Sequence, residues 1–198
     1  MSNQENNIAL LKECNALLEG HFVLSSGLHS KYYVQCAKIM ASPKYSQDFC
    51  AKLVEKLKNI IDINTIDKVV APAMGGVIVG YEIARQLGKE NVFCERVDGS
   101  FALRRGFELA EGDKVLVVED VLTTGKSSLE TYKCIKEYGA EIIAETCLIR
   151  RNPEITELDG VPIIPLLDLS FPTYKEENLP EDIANIPVQK PGSRFLKK

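Results

Sequence analysis

The 198-residue chain has no tryptophan, three methionines and only two histidines, His21 and His29. Two histidines cannot build a histidine-rich metal centre. The six cysteines (14, 36, 50, 94, 134 and 147) are scattered and form no C-x-x-C pair. In a chain this long they read as reduced thiols, which argues against a disulfide framework or a zinc site and points to the cytoplasm. Basic residues are not in excess, and a net charge of −4 argues against nucleic-acid binding. No apolar run approaches the ~20 residues of a membrane span, so no membrane contact is expected. Residues 1–7 are polar and lack the basic-then-apolar pattern of a secretion signal. Internal repeats and low-complexity tracts are missing too. What is present is a 45% hydrophobic chain of a length that suits one domain with a sizeable core.

The order of elements predicts an α/β fold. Residues 8–18 carry apolar residues at helical spacing, and residues 22–24 and 32–35 read as short strands joined by a turn over 25–30. Ser42 and Pro43 open a helix running to about Ile60, with serine as cap and proline in the first turn. A buried strand at 69–71 precedes a helix over 75–87 stopped by Gly88. Residues 92–95 form another strand, followed by a polar, glycine-containing loop. Two further strands, 142–149 and 163–167, complete the sheet. Strands alternating with helices imply a parallel sheet with right-handed crossovers. Beyond Phe171 the chain holds four prolines (172, 180, 187 and 191) and is predicted irregular, with one helical turn at 181–185.

The most informative segment is Val115-Leu116-Val117-Val118-Glu119-Asp120-Val121-Leu122-Thr123-Thr124-Gly125-Lys126-Ser127. Its first four residues are the apolar run of a strand buried on both faces. Two carboxylates follow where such a strand would end. Then come a loop of hydroxyls and glycine and a helix over 128–137. Ligands bind outside the carboxyl ends of strands in open α/β sheets, and a helix N-terminus is a natural phosphate site. Carboxylates beside a phosphate loop suit a phosphorylated sugar, with its anionic group and vicinal hydroxyls. The Gly125-Lys126-Ser127 sequence mimics the end of a P-loop, but that motif requires glycine where Asp120 stands, and a carboxylate there would repel a phosphate chain. An ordinary strand-to-helix turn needs one cap and has no use for paired acids.

This segment resembles the phosphoribosyl-diphosphate (PRPP) motif of the type I phosphoribosyltransferases: a hydrophobic run, two acids, then Val-x-Thr-Thr-Gly-x-Ser. Other segments are similar to the orotate-using branch of that family. They are Gly20-His21-Phe22-Val23-Leu24-Ser25-Ser26-Gly27-Leu28-His29-Ser30, Arg104-Arg105-Gly106-Phe107 and Lys190-Pro191-Gly192-Ser193-Arg194. The resemblance spans roughly residues 8–194. It implies the type I phosphoribosyltransferase fold, a mostly parallel central sheet flanked by helices with a flexible active-site hairpin. Residues 1–198 would form one phosphoribosyltransferase domain, with about 1–40 and 165–198 making a hood over the core 41–164.

The resemblance also assigns roles. Glu119 and Asp120 would bind the ribose hydroxyls and favour the cationic ring, and Thr123 to Ser127 would anchor the 5-phosphate. The whole PRPP-binding set would then be Glu119, Asp120, Val121, Leu122, Thr123, Thr124, Gly125, Lys126 and Ser127. Lys126 sits in the phosphate loop, yet its side chain also suits a water-facing position. Ala73, Met74, Gly75 and Gly76 follow the strand at 69–71. Read locally they are a tight turn, and the resemblance makes them the pyrophosphate loop. Residues 95–107 read as a hairpin or flap, whose Arg96 would be catalytic and whose Arg104 and Arg105 are further cations for the departing pyrophosphate. Arg151 and Thr123 would contact orotate, while Arg150 is expected in a structural salt bridge. Lysines common in the family are replaced by Ser25, Gly75 and Val97, with His29 and Lys31 as candidate substitutes at the first of these sites. Mg²⁺ is the implied cofactor, held mainly through PRPP and water with no protein ligands of its own. A homodimer with shared active sites is the implied assembly. The rivals are a purine phosphoribosyltransferase and a PRPP-sensing regulator on the same fold.

Overall fold

Nine residues from Lys114 to Leu122 form the central strand of the larger sheet, and four consecutive valines and leucines within it are wholly buried. Burial of each such side chain contributes about 1.5–3 kcal/mol, which makes this strand the natural axis of the core. The computed structural model describes residues 3–24 and 26–190. Ser25 and the 191–194 part of the C-terminal motif therefore lie outside the described residues.

In chain order the elements are α1 (Asn3–Glu13), β1 (Leu17–Val23), β2 (His29–Val34), α2 (Cys36–Met40), α3 (Pro43–Lys58), β3 (Lys68–Pro72), α4 (Gly75–Leu87), β4 (Glu90–Val97) and β5 (Ser100–Leu103). They continue with β6 (Lys114–Leu122), α5 (Lys126–Glu137), β7 (Glu141–Arg150), β8 (Glu157–Leu158), β9 (Val161–Asp168), β10 (Thr173–Tyr174), α6 (Glu181–Ala184) and β11 (Val188–Gln189). None of the described helices is long and apolar enough to cross a membrane.

The chain divides into two units, residues 40–169 and residues 1–39 with 170–198. The larger holds a seven-stranded sheet of order β5-β4-β3-β6-β7-β9-β8. Its five inner strands run parallel, and the edge strands β5 and β8 are antiparallel. From β3 the chain goes to β4 on one side and then to β6 on the other, so the strand order reverses between β3 and β6. The crevice at the carboxyl ends of two such strands is where ligands bind in open α/β sheets. The 73–76 loop follows β3, and the 119–127 segment spans the end of β6 and the loop after it. The smaller unit holds a four-stranded sheet of order β10-β2-β1-β11.

Several boundaries differ from the sequence reading. The first helix stops at Glu13, and Leu17 and Leu18 belong to β1; Asn15, with φ of 54°, turns the chain between them. Ser42 occupies the cap position of α3, yet its side chain makes no capping hydrogen bond. The strand carrying the acids does not end at Val118 but runs to Leu122, because β7 pairs with it through Leu122↔Arg150. The proline-rich tail contains two-residue strands that exist only through pairing, β10 with β2 and β11 with β1.

Candidate active site

Strand periodicity sends Glu119 and Asp120 to opposite faces of the sheet. Val115 and Val117 pack beneath α5 with Tyr132 and Ile135, so Glu119 lies on that face. Asp120 lies on the other, where its carboxylate meets the start of α4 at Gly75. Glu119 is buried, and that burial, reinforced by the neighbouring Asp120 charge, pushes its carboxyl well above the usual carboxylate range. The chain holds both acids with its own backbone: Asp120 N–H donates to Glu119 at 3.0 Å, and Val121 N–H donates to Asp120 Oδ1 at 2.8 Å.

The loop after β6 turns sharply at Gly125, whose φ is 73°. That left-handed backbone favours glycine, and a Cβ there would press on the Leu158 side chain. The first bond of α5 runs from Leu129 N–H to Gly125 O, 2.9 Å. The amides of Lys126, Ser127 and Ser128 are left without an intrahelical acceptor. Thr123, Thr124 and Lys126 are exposed, and Lys126 makes no ion pair among the described residues. The site thus sets an amide-rich helix end and hydroxyls beside two carboxylates, one of them buried.

At the end of β3, the Ala73–Met74 peptide is cis and α4 begins at Gly75. A Cβ on Gly76 would press to 2.8 Å from Val118 O, so glycine lets α4 start against β6. Ala73 N–H donates to Cys94 O, 2.8 Å, and Met74 is largely exposed.

The 95–107 segment is a hairpin of β4 and β5 closed by Asp98 and Gly99, both with positive φ, the geometry that matches strand twist. Two of its three arginines are engaged within the fold. Arg96 pairs with Glu130 of α5, donates to Gly99 O at 2.7 Å and lies over the Phe101 ring. Arg105 makes a two-bond contact with Glu95, 2.5 and 3.0 Å, which holds the Glu95 carboxyl below its ordinary range. Arg104 is exposed and forms no ion pair among the described residues.

At the end of β7, Arg150 is buried and pairs with Asp168 at 2.6 and 3.2 Å, adding a bond to Ile155 O, which is the salt bridge expected of it. Arg151 is half-buried, and its backbone N–H donates to Leu122 O at 2.8 Å, which fixes it beside the PRPP-type loop. In the smaller unit, His29 Nδ1 is hydrogen-bonded to His21 Nε2 at 2.6 Å, and Lys31 pairs with Asp182 at 2.8 Å. Both candidate substitutes are thus held by local partners.

Sequence reasoning missed two acids. Glu130 is the partner of Arg96. Glu145 is wholly buried in β7 and accepts hydrogen bonds from Ser128 and Tyr132 of α5. A lone charge inside the otherwise uncharged run 142–149 was the available signal for Glu145.

Comparison with known proteins places this geometry among relatives. The family model described as Phosphoribosyl transferase domain matches residues 44–163. The chain is 47% identical over 190 residues to an orotate phosphoribosyltransferase of Erythrobacter litoralis, covering 96% of this chain and 97% of the relative. It is 46% identical to that of Caldicellulosiruptor saccharolyticus, covering 98% of this chain and all of the relative. The crystal structure of orotate phosphoribosyltransferase from Aeropyrum pernix aligns with a TM-score of 0.69 at 25% identity, covering 81% of this chain and 92% of that one.

Proposed function

The chain belongs to the phosphoribosyltransferase family, and from that premise we propose that it transfers the 5-phosphoribosyl group of PRPP to orotate. The products are orotidine 5′-phosphate and pyrophosphate, a step of pyrimidine biosynthesis. The observation that carries this reading is the placement of Glu119 and Asp120 between a glycine-led helix start and an amide-rich one, at the point where strand order reverses. The near full-length similarity to orotate phosphoribosyltransferases supports the choice of base. The cytoplasm is the compartment this reading assigns.

Displacement at C1 breaks the bond to pyrophosphate and builds positive charge on the ribose ring. The amides of residues 124–127 and the hydroxyls of Thr123, Thr124 and Ser127 hold the 5-phosphate, so that remote binding energy positions the reacting carbon. Asp120 presents negative charge to the developing cation. Glu119 is the second carboxylate assigned to the ribose hydroxyls. The 73–76 loop, with α4 behind it, receives the pyrophosphate, and Arg96, Arg104 and Arg105 of the hairpin supply cations for it. Arg151 and Thr123 line the base. Orotate is an anion near neutral pH, so no strong general base is required.

A magnesium ion held through PRPP and water fits the site, where the Asp120 carboxylate would accept hydrogen bonds from its bound waters. Among the described residues no group of three or more His, Cys, Asp or Glu side chains is arranged to hold a metal. When bound, Mg²⁺ stabilises the charge of the leaving pyrophosphate.

The test is loss of orotate absorbance with PRPP and Mg²⁺, beside adenine, hypoxanthine, guanine and uracil. Orotate consumption requiring both, with the other bases inert, is expected. Turnover of another base would change the substrate, and silence with all five despite PRPP binding would favour a sensor.

A further inference from the structure

Glu145 is the one carboxylate placed in the middle of the buried run of β7, and none of its surface reaches solvent. The bulge between Val115 and Leu116 in the β6–β7 register sets Glu145 opposite Val117, on the face covered by α5. There Ser128 Oγ donates to Oε1 at 2.7 Å and Tyr132 Oη donates to Oε2. The two donors are one helical turn apart on the inner side of α5. Burial pushes the Glu145 carboxyl and the Tyr132 phenol upward, and the Glu145 charge adds to the rise at Glu119. An apolar side chain of the same size would fill this space without desolvating a carboxylate, so packing alone gives no reason for an acid here. What the carboxylate supplies is two acceptors fixed by the sheet, each gripping one side chain of the first turns of α5. Ser128 directly follows the loop.

We propose that Glu145 is a positioning residue for the 5-phosphate site: by clamping Ser128 and Tyr132 to the sheet it fixes the start of α5 and aims the backbone N–H groups of residues 124–127. This rests on the phosphoribosyl-transfer reading above. The clamp acts on one part of the substrate only. Displacement of an anchoring group by about 1 Å is enough to cost up to ~100-fold in rate.

The experiment measures ribose 5-phosphate and pyrophosphate binding by calorimetry, together with the KM for PRPP and for orotate, in the wild type, Glu145→Met and Glu145→Gln. Glu145→Met, which removes both acceptors, is expected to weaken ribose 5-phosphate binding and raise the PRPP KM about tenfold, while pyrophosphate affinity and the orotate KM change less than about twofold. Glu145→Gln retains one acceptor and is expected to recover part of the loss. A merely structural role would move both ligands together or neither. Unchanged ribose 5-phosphate affinity in Glu145→Met, or an equal loss for pyrophosphate, overturns the proposal. Should Glu145→Met fail to fold, Ser128→Ala and Tyr132→Phe each remove one donor and carry the same selective loss. A wild type that binds ribose 5-phosphate but does not consume orotate would overturn the functional reading and leave the clamp standing.

Discussion

A Cβ built on Gly75 would lie 2.6 Å from both carboxylate oxygens of Asp120. The space beside residue 75 is therefore filled by an acid reaching across from β6. Asp120 is held in place from its own strand by Val121 N–H, so a new side chain at residue 75 cannot displace it freely. Gly75→Ala is expected to lower kcat/KM by about 10- to 100-fold by turning Asp120 away from the ribose. Thermal unfolding should show a far smaller effect, since Gly75 is exposed and opens the helix. Activity retained in Gly75→Ala would mean that Asp120 does not need its present orientation.

The raised carboxyl of Glu119 makes a pH-dependent prediction. Between the ordinary carboxylate range and its higher folded value, Glu119 keeps a proton that the unfolded chain has lost. Its contribution to stability is present in acid and is lost as pH rises through the folded value. Glu119→Gln, neutral at every pH, should thus match the wild type in Tm near pH ~4 and exceed it increasingly toward alkaline pH. Melting curves of both proteins across that range decide the point, and a constant or shrinking difference would contradict it.

Adjacent arginines at the end of β7 are expected to fail in different ways. Arg150→Ala removes a buried, charge-assisted contact to Asp168 and a bond to Ile155 O, at an expected cost of about 1–3 kcal/mol in unfolding free energy. Arg151→Ala should leave the melting temperature nearly unchanged and raise the orotate KM by about tenfold or more. Paired denaturation and kinetic measurements separate the two, and equal losses of stability would undo the division of roles.

Arg96 is bound to Glu130, and a role on pyrophosphate requires it to exchange that partner. The pair is part-exposed and contributes at most about 1 kcal/mol. Glu130→Gln should accordingly change stability little and leave Arg96 free for the anion, with a PRPP KM equal to or below that of the wild type. Arg96→Ala is expected to reduce kcat by about 100-fold. Steady-state kinetics of the two variants test this, and a rise in the PRPP KM of Glu130→Gln would place Glu130 itself in the site.

Much of this could be read from the sequence wherever local chemistry decides the outcome. Helix α4 begins and ends where Gly75 and Gly88 dictate, and the apolar run of β6 announced a central strand. The PRPP-type loop was readable because its acids, hydroxyls and glycine have no joint use in an ordinary turn. Elements made by tertiary pairing were not readable. Leu17 and Leu18 fit helical spacing as well as a strand, and β2 decides for the strand. The tail strands have two residues each and no local pattern to betray them. Glu145 and Glu130 escaped notice for a related reason: each acquires meaning only from the side chain opposite it.

One apolar stripe of the larger unit is exposed. Met74, Ile78 and Tyr81 lie at helical spacing on and just before α4 and are all more than half exposed. We propose that this stripe is covered by a second copy, so Tyr81→Glu should shift the sedimenting species from dimer to monomer. A wild type that sediments as a monomer at all concentrations would refute the assembly.

The pairing of β1 with β11 has a consequence for how the chain is made. His21 and Phe22 lie beside Val188 and Gln189 in a parallel ladder, although more than 160 residues separate them in sequence. During synthesis residues 40–169 leave the ribosome whole, and the seven-stranded sheet needs nothing that comes later. The amino-terminal hairpin, made first, must wait for the last strand to arrive. Throughout that delay the β1 edge is open to any other strand that reaches it, and slow translation of the carboxyl-terminal segment would lengthen the exposure.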